Sequence, residues 1–403
     1  MSAFLERLSF PVLTRLCGLS LLLRVGFVFV VQPSIVAVED FNIAEHLARS
    51  DGFAYGGFDD DFRPTALKSP AYPLFLATFL ALFGEQAKIV VVLVQHALAA
   101  FSPILLWRIG ESLNEARLGK IAALLFLSHP SHFYYPTVLE VTNLFAPLAI
   151  LWLFFSIRLA RAAPMSLATF GFGLFSGVLV LAQPVALLPV VATLVFAFRR
   201  RLKSLALILL ALLAPMSVWT ARNLVVFGKA IPTKSPFYMN LYVGLLPEHS
   251  GLKAFEFLDD ETIRRIDSLR QSTSDVEMEA HYKEVSLNAV RRKPLLYAAK
   301  TLWQAALYWF VPPRYFGNLS LSFVAVRLLP VLILNALFAW GLARLWRRRP
   351  DIAIAIALTL TYFTAVYALT HVSNIRFKLD IEWLELFACA AAFDERKPTT
   401  EIE

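Results

Sequence analysis

What most constrains this chain is the recurrence of apolar runs approaching about 20 residues, the length a helix needs to cross the hydrocarbon of a bilayer. They fall at 10–31, 88–107, 119–134, 139–157, 166–182, 184–198, 204–220, 323–343, 351–370 and 381–393. Composition agrees, because 58% of the 403 residues are hydrophobic and 17% are charged. Soluble domains carry about 45–50% apolar and about 25% charged residues. A single soluble core cannot hide so many Phe and Leu side chains, since about a quarter of the surface stays exposed after folding. Secreted, fibrous and disordered classes are excluded. The expectation is an all-α polytopic membrane protein with about ten spans.

The net charge of +8 comes from short basic clusters between the apolar runs. They are Arg7; Arg108, Arg117 and Lys120; Arg158 and Arg161; Arg199, Arg200, Arg201 and Lys203; and Arg344, Arg347, Arg348 and Arg349. That arrangement marks the cytoplasmic side of a membrane protein rather than a nucleic-acid surface. The opposite side then receives 32–87, a turn near 135, the turn at Gln183–Pro184, 221–322 and 371–380. The stretch 295–313 is apolar enough to span, but a span there would place the cluster at 347–350 outside. It is expected as an interfacial or re-entrant helix, and so is 73–84. The first run keeps Arg15 and Arg24 and has no small-residue cleavage signal, so it reads as a retained span. Cys17 and Cys389, far apart in apolar segments, form neither a disulfide framework nor a metal motif. No Cys/His spacing points to zinc.

Two external segments stand out. In 32–72, VEDFNIAEHLAR reads as a short amphipathic helix that GFAYGG then breaks. In 221–322, the polar stretch LDDETIRRIDSLRQSTSDVEMEAHYKEVSLNAVRRKP reads as two soluble-type helices lying on the membrane. The same side gathers Glu39 and Asp40 after the first span, Lys68, Glu140 at the mouth of the fourth span, Arg222 after the seventh and Arg376 before the last. Charges at the rim of a helical bundle are costly unless they pair or serve a site. Together, a carboxylate and several fixed cations suit one reaction type. The carboxylate deprotonates an acceptor hydroxyl while Lys and Arg hold a phosphate that becomes a leaving group. Each residue also has an ordinary reading. Glu39 and Asp40 can charge a first helical turn, Lys68 can snorkel, Glu140 can be an interfacial acid, and Arg222 and Arg376 can anchor spans. The acidic run at 59–61 can be a solvated loop, and His129, His132 and His371 can be interfacial polar groups.

The chain resembles the GT-C fold membrane glycosyltransferases, in the branch of protein O-mannosyltransferases and bacterial aminoarabinose transferases of lipid A. The resemblance covers most of the chain. It rests on the acidic pair leading to AEHLARSDGF, on RPTALKSPAYPLFLATFLALFG, on FYYPTVLEVTNLFAPLAILW and on WTARNLVVFGKAIPTKSPFYMNLYVGLLPEHSG, the most specific of the four. VRRKPLLYAAKTL and SNIRFKL resemble later family elements. The resemblance implies that Asp40 or Glu39 is the catalytic carboxylate and that Lys68 contacts the lipid phosphate. It further implies that Glu140 is the second acidic position and that Arg222 and Arg376 hold phosphate or close the site. The chain departs from the family where its acidic pair directly precedes Phe41 and where RFKLDIEW lacks a proline. No large C-terminal soluble domain follows, so acceptor recognition is expected from 221–322.

These readings predict one GT-C transmembrane domain over 1–403 in the plasma (inner) membrane, with 32–87 as the catalytic loop and 221–322 on the acceptor side. The expected activity is an inverting glycosyl transfer from a polyprenyl-phosphate sugar to an extracytoplasmic glycan, lipid or protein acceptor. Membrane lipids are the other expected partner, and neither a cofactor nor a catalytic divalent metal is expected. The rival is a transporter or lipid flippase, which would show inverted repeats and broken helices in matched positions.

Overall fold

The computed structural model describes residues 5–6, 8–31, 35–56, 62–162, 166–246, 255–310, 328–371 and 376–394. It is 82% helical. In chain order the elements begin with α1 (Phe10–Val31), α2 (Glu39–Ala48), the strands β1 (Ala54–Gly56) and β2 (Phe62–Pro64), α3 (Ala71–Phe83), α4 (Ala87–Ser112), α5 (Ala116–Ser128) and α6 (Pro130–Tyr134). Next come α7 (Thr142–Ala162), α8 (Leu167–Ala182), α9 (Leu187–Phe198), α10 (Leu202–Phe227), α11 (Phe237–Leu245), α12 (Asp260–Ser272) and α13 (Asp275–Arg292). The chain ends with α14 (Pro294–Trp309), α15 (Leu329–Arg348), α16 (Pro350–Leu369), α17 (Arg376–Leu379) and α18 (Glu382–Ala392).

Among the described residues, six helices are long and apolar enough to cross a membrane: α1, the α3–α4 unit, α7, α10, α15 and α16. This is an integral membrane protein. Helix α1 makes the case alone, because Leu22 and Leu23 are 70% and 60% exposed while Arg24 is fully buried. Gln95, His96, Asn143, Glu382 and Glu385 are likewise buried, while Leu faces outward, as a lipid solvent demands. Helices α5, α8, α9 and α18 coincide with the shorter apolar runs and fall below spanning length, at 13, 16, 12 and 11 residues.

Close approach of helices follows small residues. Gly173 and Gly177 sit four apart on α8, and a Cβ built on Gly173 would stand 2.6 Å from the carbonyl oxygen of Ile208 on α10. Only glycine admits that crossing, the familiar small-xxx-small contact between membrane helices. Proline inside α4, α7 and α10 (Pro103, Pro147 and Pro215) is tolerated where neighbouring helices and side chains re-satisfy the freed backbone groups.

Polar groups collect at the two ends of the bundle. At one end Arg348 meets Asp394 at 2.8 Å and Glu115 at 3.3 Å, Arg117 meets Asp394 at 3.7 Å, and Arg349 meets Asp351 at 2.9 Å. The other end carries α2, the antiparallel β1–β2 hairpin with Tyr55 opposite Arg63, and helices α11 to α13. Helices α12 and α13 match the expected pair of soluble-type helices. Asp259 caps α12, and a Ser274–Glu277 capping box opens α13. The stretch expected to be re-entrant at 73–84 is α3, which runs through a single turn at Gly84–Gln86 into α4. The ambiguous 295–313 stretch forms α14, 16 residues long, with Lys300, Gln304, Leu307 and Tyr308 buried; residues 311–313 lie outside the described set. Lys300 donates to the carbonyls of Ala368 and Thr370 at the end of α16, where a helix dipole favours a cation. The acidic run at 59–61 lies outside the described residues.

Candidate phosphate-facing site

Two backbone ties assemble the site end. Ala37 forms an isolated parallel bridge with Leu139, and the amide of Leu139 donates to the carbonyl of Val36 at 3.0 Å. The bridge sets the start of α2, with its acidic pair, beside the corner that carries Glu140. A polar chain steadies that corner. Tyr72 Oη donates to Gln95 Oε1 at 2.6 Å, and Gln95 Nε2 donates to the carbonyls of Pro136 at 2.9 Å and Val138 at 3.1 Å.

Glu39 and Asp40 occupy the first turn of α2, where the amide dipoles favour anions. Lys68 Nζ lies 3.3 Å from Glu39 Oε2 and 3.6 Å from Asp40 Oδ2. The two acids differ in environment, for the Glu39 side chain is 45% exposed and that of Asp40 only 6%. Partial burial pushes the Glu39 carboxyl up, but the adjacent Lys68 ammonium outweighs it and holds the group below its ordinary value.

The buried Glu140 pairs with the part-exposed Arg376, with Arg376 Nη1 at 2.8 Å from Glu140 Oε1. Tyr135 Oη donates to the second oxygen, Glu140 Oε2, at 2.5 Å. Glu140 therefore orients Arg376 at the site end.

Arg222 stands one layer back. Its guanidinium donates to the carbonyls of Thr65 at 2.9 Å and Phe53 at 2.8 Å and sits among the rings of Phe53, Trp219 and Phe227. It holds the loop leading to Lys68 by its backbone. Asp275, the first residue of α13, grips the same loop. Its Oδ2 accepts from Thr65 Oγ1 and from the Ala66 amide, both at 3.0 Å, and from Ser235 Oγ at 3.4 Å. The Ser235 amide completes the tie by donating to the Ala66 carbonyl at 2.8 Å.

That tie brings in a cation the sequence reading passed over. Lys234 precedes Ser235, is half-buried, and makes no ion pair or hydrogen bond among the described residues. Desolvation, with the positive charges of Lys68 and Arg376, pushes its ammonium down to about 8 against the pull of Asp40 and Asp380. These charges place Lys234 within electrostatic reach of the whole group. Asp380, in the turn between α17 and α18, accepts from Gln183 Nε2 at 2.6 Å, and burial lifts it to about 7. The sequence matches no protein-family model and no curated protein.

The end of the bundle presents two adjacent carboxylates with Lys68 against both, and two further cations, Lys234 and Arg376, whose charges interact with that of Asp40. Arg222 and Asp275 hold the two cation-bearing loops in place. Such a set binds an anion of charge about −1 to −2 and leaves a carboxylate beside it. His371 faces the carbonyl of Asn240, its Nδ1 3.2 Å away, outside this group. Among the described residues, one further cluster could hold a metal: His129, His132 and Glu382.

Proposed function

We propose that the chain is an inverting glycosyltransferase of the GT-C type, drawing on a polyprenyl-phosphate sugar. On this reading the bundle has ten spans, with α5, α8, α9 and α18 counted, and the site opens on the extracytoplasmic side of the plasma membrane. The observation that carries the reading is Lys68 Nζ, at 3.3 Å from Glu39 and 3.6 Å from Asp40, with Lys234 and Arg376 acting on the same carboxylate. An apolar cavity of about 460 Å³ between α4, α7, α8, α9, α16 and α18 supports it further. Its wall runs from Ile381 and Trp383, next to Asp380, to Leu113, Arg161 and Asp351 at the opposite end of the bundle, room enough for an apolar tail.

The chemistry follows. The donor phosphate takes the Lys68 ammonium, whose contacts with Glu39 and Asp40 are long for charge-assisted hydrogen bonds. Asp40 is then free to accept the acceptor's hydroxyl proton as that oxygen bonds to the anomeric carbon. The bond from this carbon to the phosphate oxygen breaks, and the polyprenyl phosphate leaves with the electron pair. Lys68, Lys234 and Arg376 stabilise the charge that develops.

The test is binding and turnover in lipid nanodiscs. Polyprenyl monophosphate should bind more tightly than polyprenyl alcohol or diphosphate, and Asp40→Asn should keep its fold while losing on the order of a hundredfold or more in turnover. Tight binding of the diphosphate with indifference to the monophosphate sinks the proposal. So does near-normal turnover in Asp40→Asn. Mass spectrometry of envelope glycans with and without an active copy then identifies the sugar and acceptor.

A further inference from the structure

The cluster His129, His132 and Glu382 takes no part in the proposed transfer. His129 ends α5 with φ −74° and ψ 120°, an extended corner that turns the chain into α6 and brings His132 round. Glu382 is the first residue of α18. Its Oε2 lies 3.7 Å from His129 Nδ1 and 3.3 Å from His132 Nε2, and the three atoms all lie within 4.8 Å of one another. For metal–ligand bonds of about 2.1 Å a tetrahedron has edges of about 3.4 Å, so both measured edges fit one ion.

The side chains of His132 and Glu382 are only 8% and 5% exposed, and none of the three atoms has a hydrogen-bond partner. Buried polar atoms are almost always partnered, and each exception calls for an explanation such as an ion. The donors are also held in place. His132 stacks on Phe126 with centroids 4.0 Å apart and planes 12° apart, and its carbonyl accepts from Arg24 Nη1 at 2.7 Å. Lys378, the cation one turn before Glu382, pairs instead with Glu385 at 2.9 Å. A cavity of about 20 Å³ lined by His132, Tyr135, Thr142 and Asn143 has room for one water.

We propose that His129, His132 and Glu382 bind one divalent transition-metal ion of the zinc type, with water as the remaining ligand. Two imidazoles and one carboxylate suit such an ion and not magnesium or calcium, which take oxygen donors. The ion would tie the α5–α6 corner to the head of α18, two segments some 250 residues apart in sequence.

The test uses the full chain in detergent, stripped by chelator, dialysed and loaded with zinc or cobalt(II). Wild type should retain about one zinc per chain, give the intense visible bands of low-coordinate cobalt(II), and melt at a higher temperature with zinc than without. Glu382→Gln and His129→Gln should lose all three responses. His129 is the less buried histidine, so its variant keeps the experiment decisive should Glu382→Gln fold poorly. A wild-type chain that takes up neither metal overturns the proposal, because His132 and Glu382 then share only a proton. Equal uptake by wild type and His129→Gln also overturns it. None of the three readouts depends on glycosyl transfer, so the two proposals fail separately.

Discussion

Lys234 is the most informative residue to perturb, because its ammonium titrates within reach of ordinary buffers. Desolvation and the neighbouring Lys68 and Arg376 bring it to about 8, from an unperturbed value near about 10.4. A bound phosphate monoester favours the protonated form, so the complex titrates at higher pH than the free protein. Affinity for polyprenyl monophosphate should therefore be full below about pH 8 and fall by up to about tenfold per pH unit above it, until the complex itself deprotonates. Losing the contact outright removes a charge-assisted hydrogen bond of about 1.5–3 kcal/mol, which is about 10- to 150-fold in Kd. The assay is lipid-phosphate binding in nanodiscs from pH 6.5 to 9.5. Lys234→Met should bind weakly with a flat profile above pH 7. Lys234→Arg should bind well and stay flat through pH 9.5, since a guanidinium does not titrate there. A flat wild-type profile, or a Lys234→Met variant with wild-type affinity, refutes the assignment.

Three further outcomes follow from the same geometry. Asp275→Asn and Arg222→Ala each release the Thr65–Ala66 loop, so each should cut turnover and phosphate affinity; because they share that loop, a double-mutant cycle should show coupling of about 0.5–3 kcal/mol. Glu140→Gln takes the buried carboxylate from the quarter-exposed Arg376 and should destabilise the protein by about 1–3 kcal/mol in denaturant or thermal unfolding, whereas adding Arg376→Gln should recover part of that stability but not activity. Gly177→Val drives a side chain into Leu212 and Pro215 on α10 and should cost at least about 1–3 kcal/mol; Gly171→Ala, with nothing within 4 Å of its Cβ, should be silent.

Hydropathy alone located most of the helices. The bodies of α1, α4, α7, α10, α15 and α16 follow the apolar runs because lipid forces every backbone group to bond within its own segment, although α4, α7 and α15 end at 112, 162 and 348 rather than 107, 157 and 343, and α10 at 227 rather than 220. The shorter runs of α9 and α18 were also counted as spans, yet their helices are 12 and 11 residues long and fall below spanning length, since a helix enclosed by others need not satisfy the same hydropathy. The acidic pair and Lys68 were legible because they flank the first external helix and a PxYP-like turn. Lys234 was not. In IPTKSP nothing local separates it from a solvated loop lysine, and only the tie through Ser235 and Asp275 brings it inward. Asp275 itself reads as an ordinary helix-opening acid. Its contact with Thr65 spans 210 positions, and no local rule reports such a pairing. Arg222 was recognised as important, but its targets, two backbone carbonyls, carry no sequence signature. The same holds for Glu382, whose histidine neighbours sit on a corner far upstream.

The two ends of the bundle differ in how their charges are satisfied, and that difference is what the proposed function rests on. At the α4–α5 and α15–α16 turns, Asp394 is wholly buried and bridges Arg117 and Arg348, while Arg348 also reaches Glu115. Every charge in that network answers another, and breaking it gains nothing for a ligand. At the other end Lys68 divides itself between two carboxylates at 3.3 and 3.6 Å, and Lys234 answers none directly. Their loops are nevertheless fixed by Arg222 and Asp275, so the cations are positioned without being satisfied. An incoming phosphate pays little to reorganise such a site and meets donors already aimed, which is the arrangement that stabilises charge developing on a leaving group. On the proposed reading, a phosphate that takes Lys68 also frees Asp40 Oδ2, now 3.6 Å from that ammonium, to meet the acceptor hydroxyl. Under the proposed transfer, donor binding and the freeing of the base are one event. Lys68→Met should accordingly cost more in turnover than in lipid-phosphate affinity, while Lys234→Met should show the reverse.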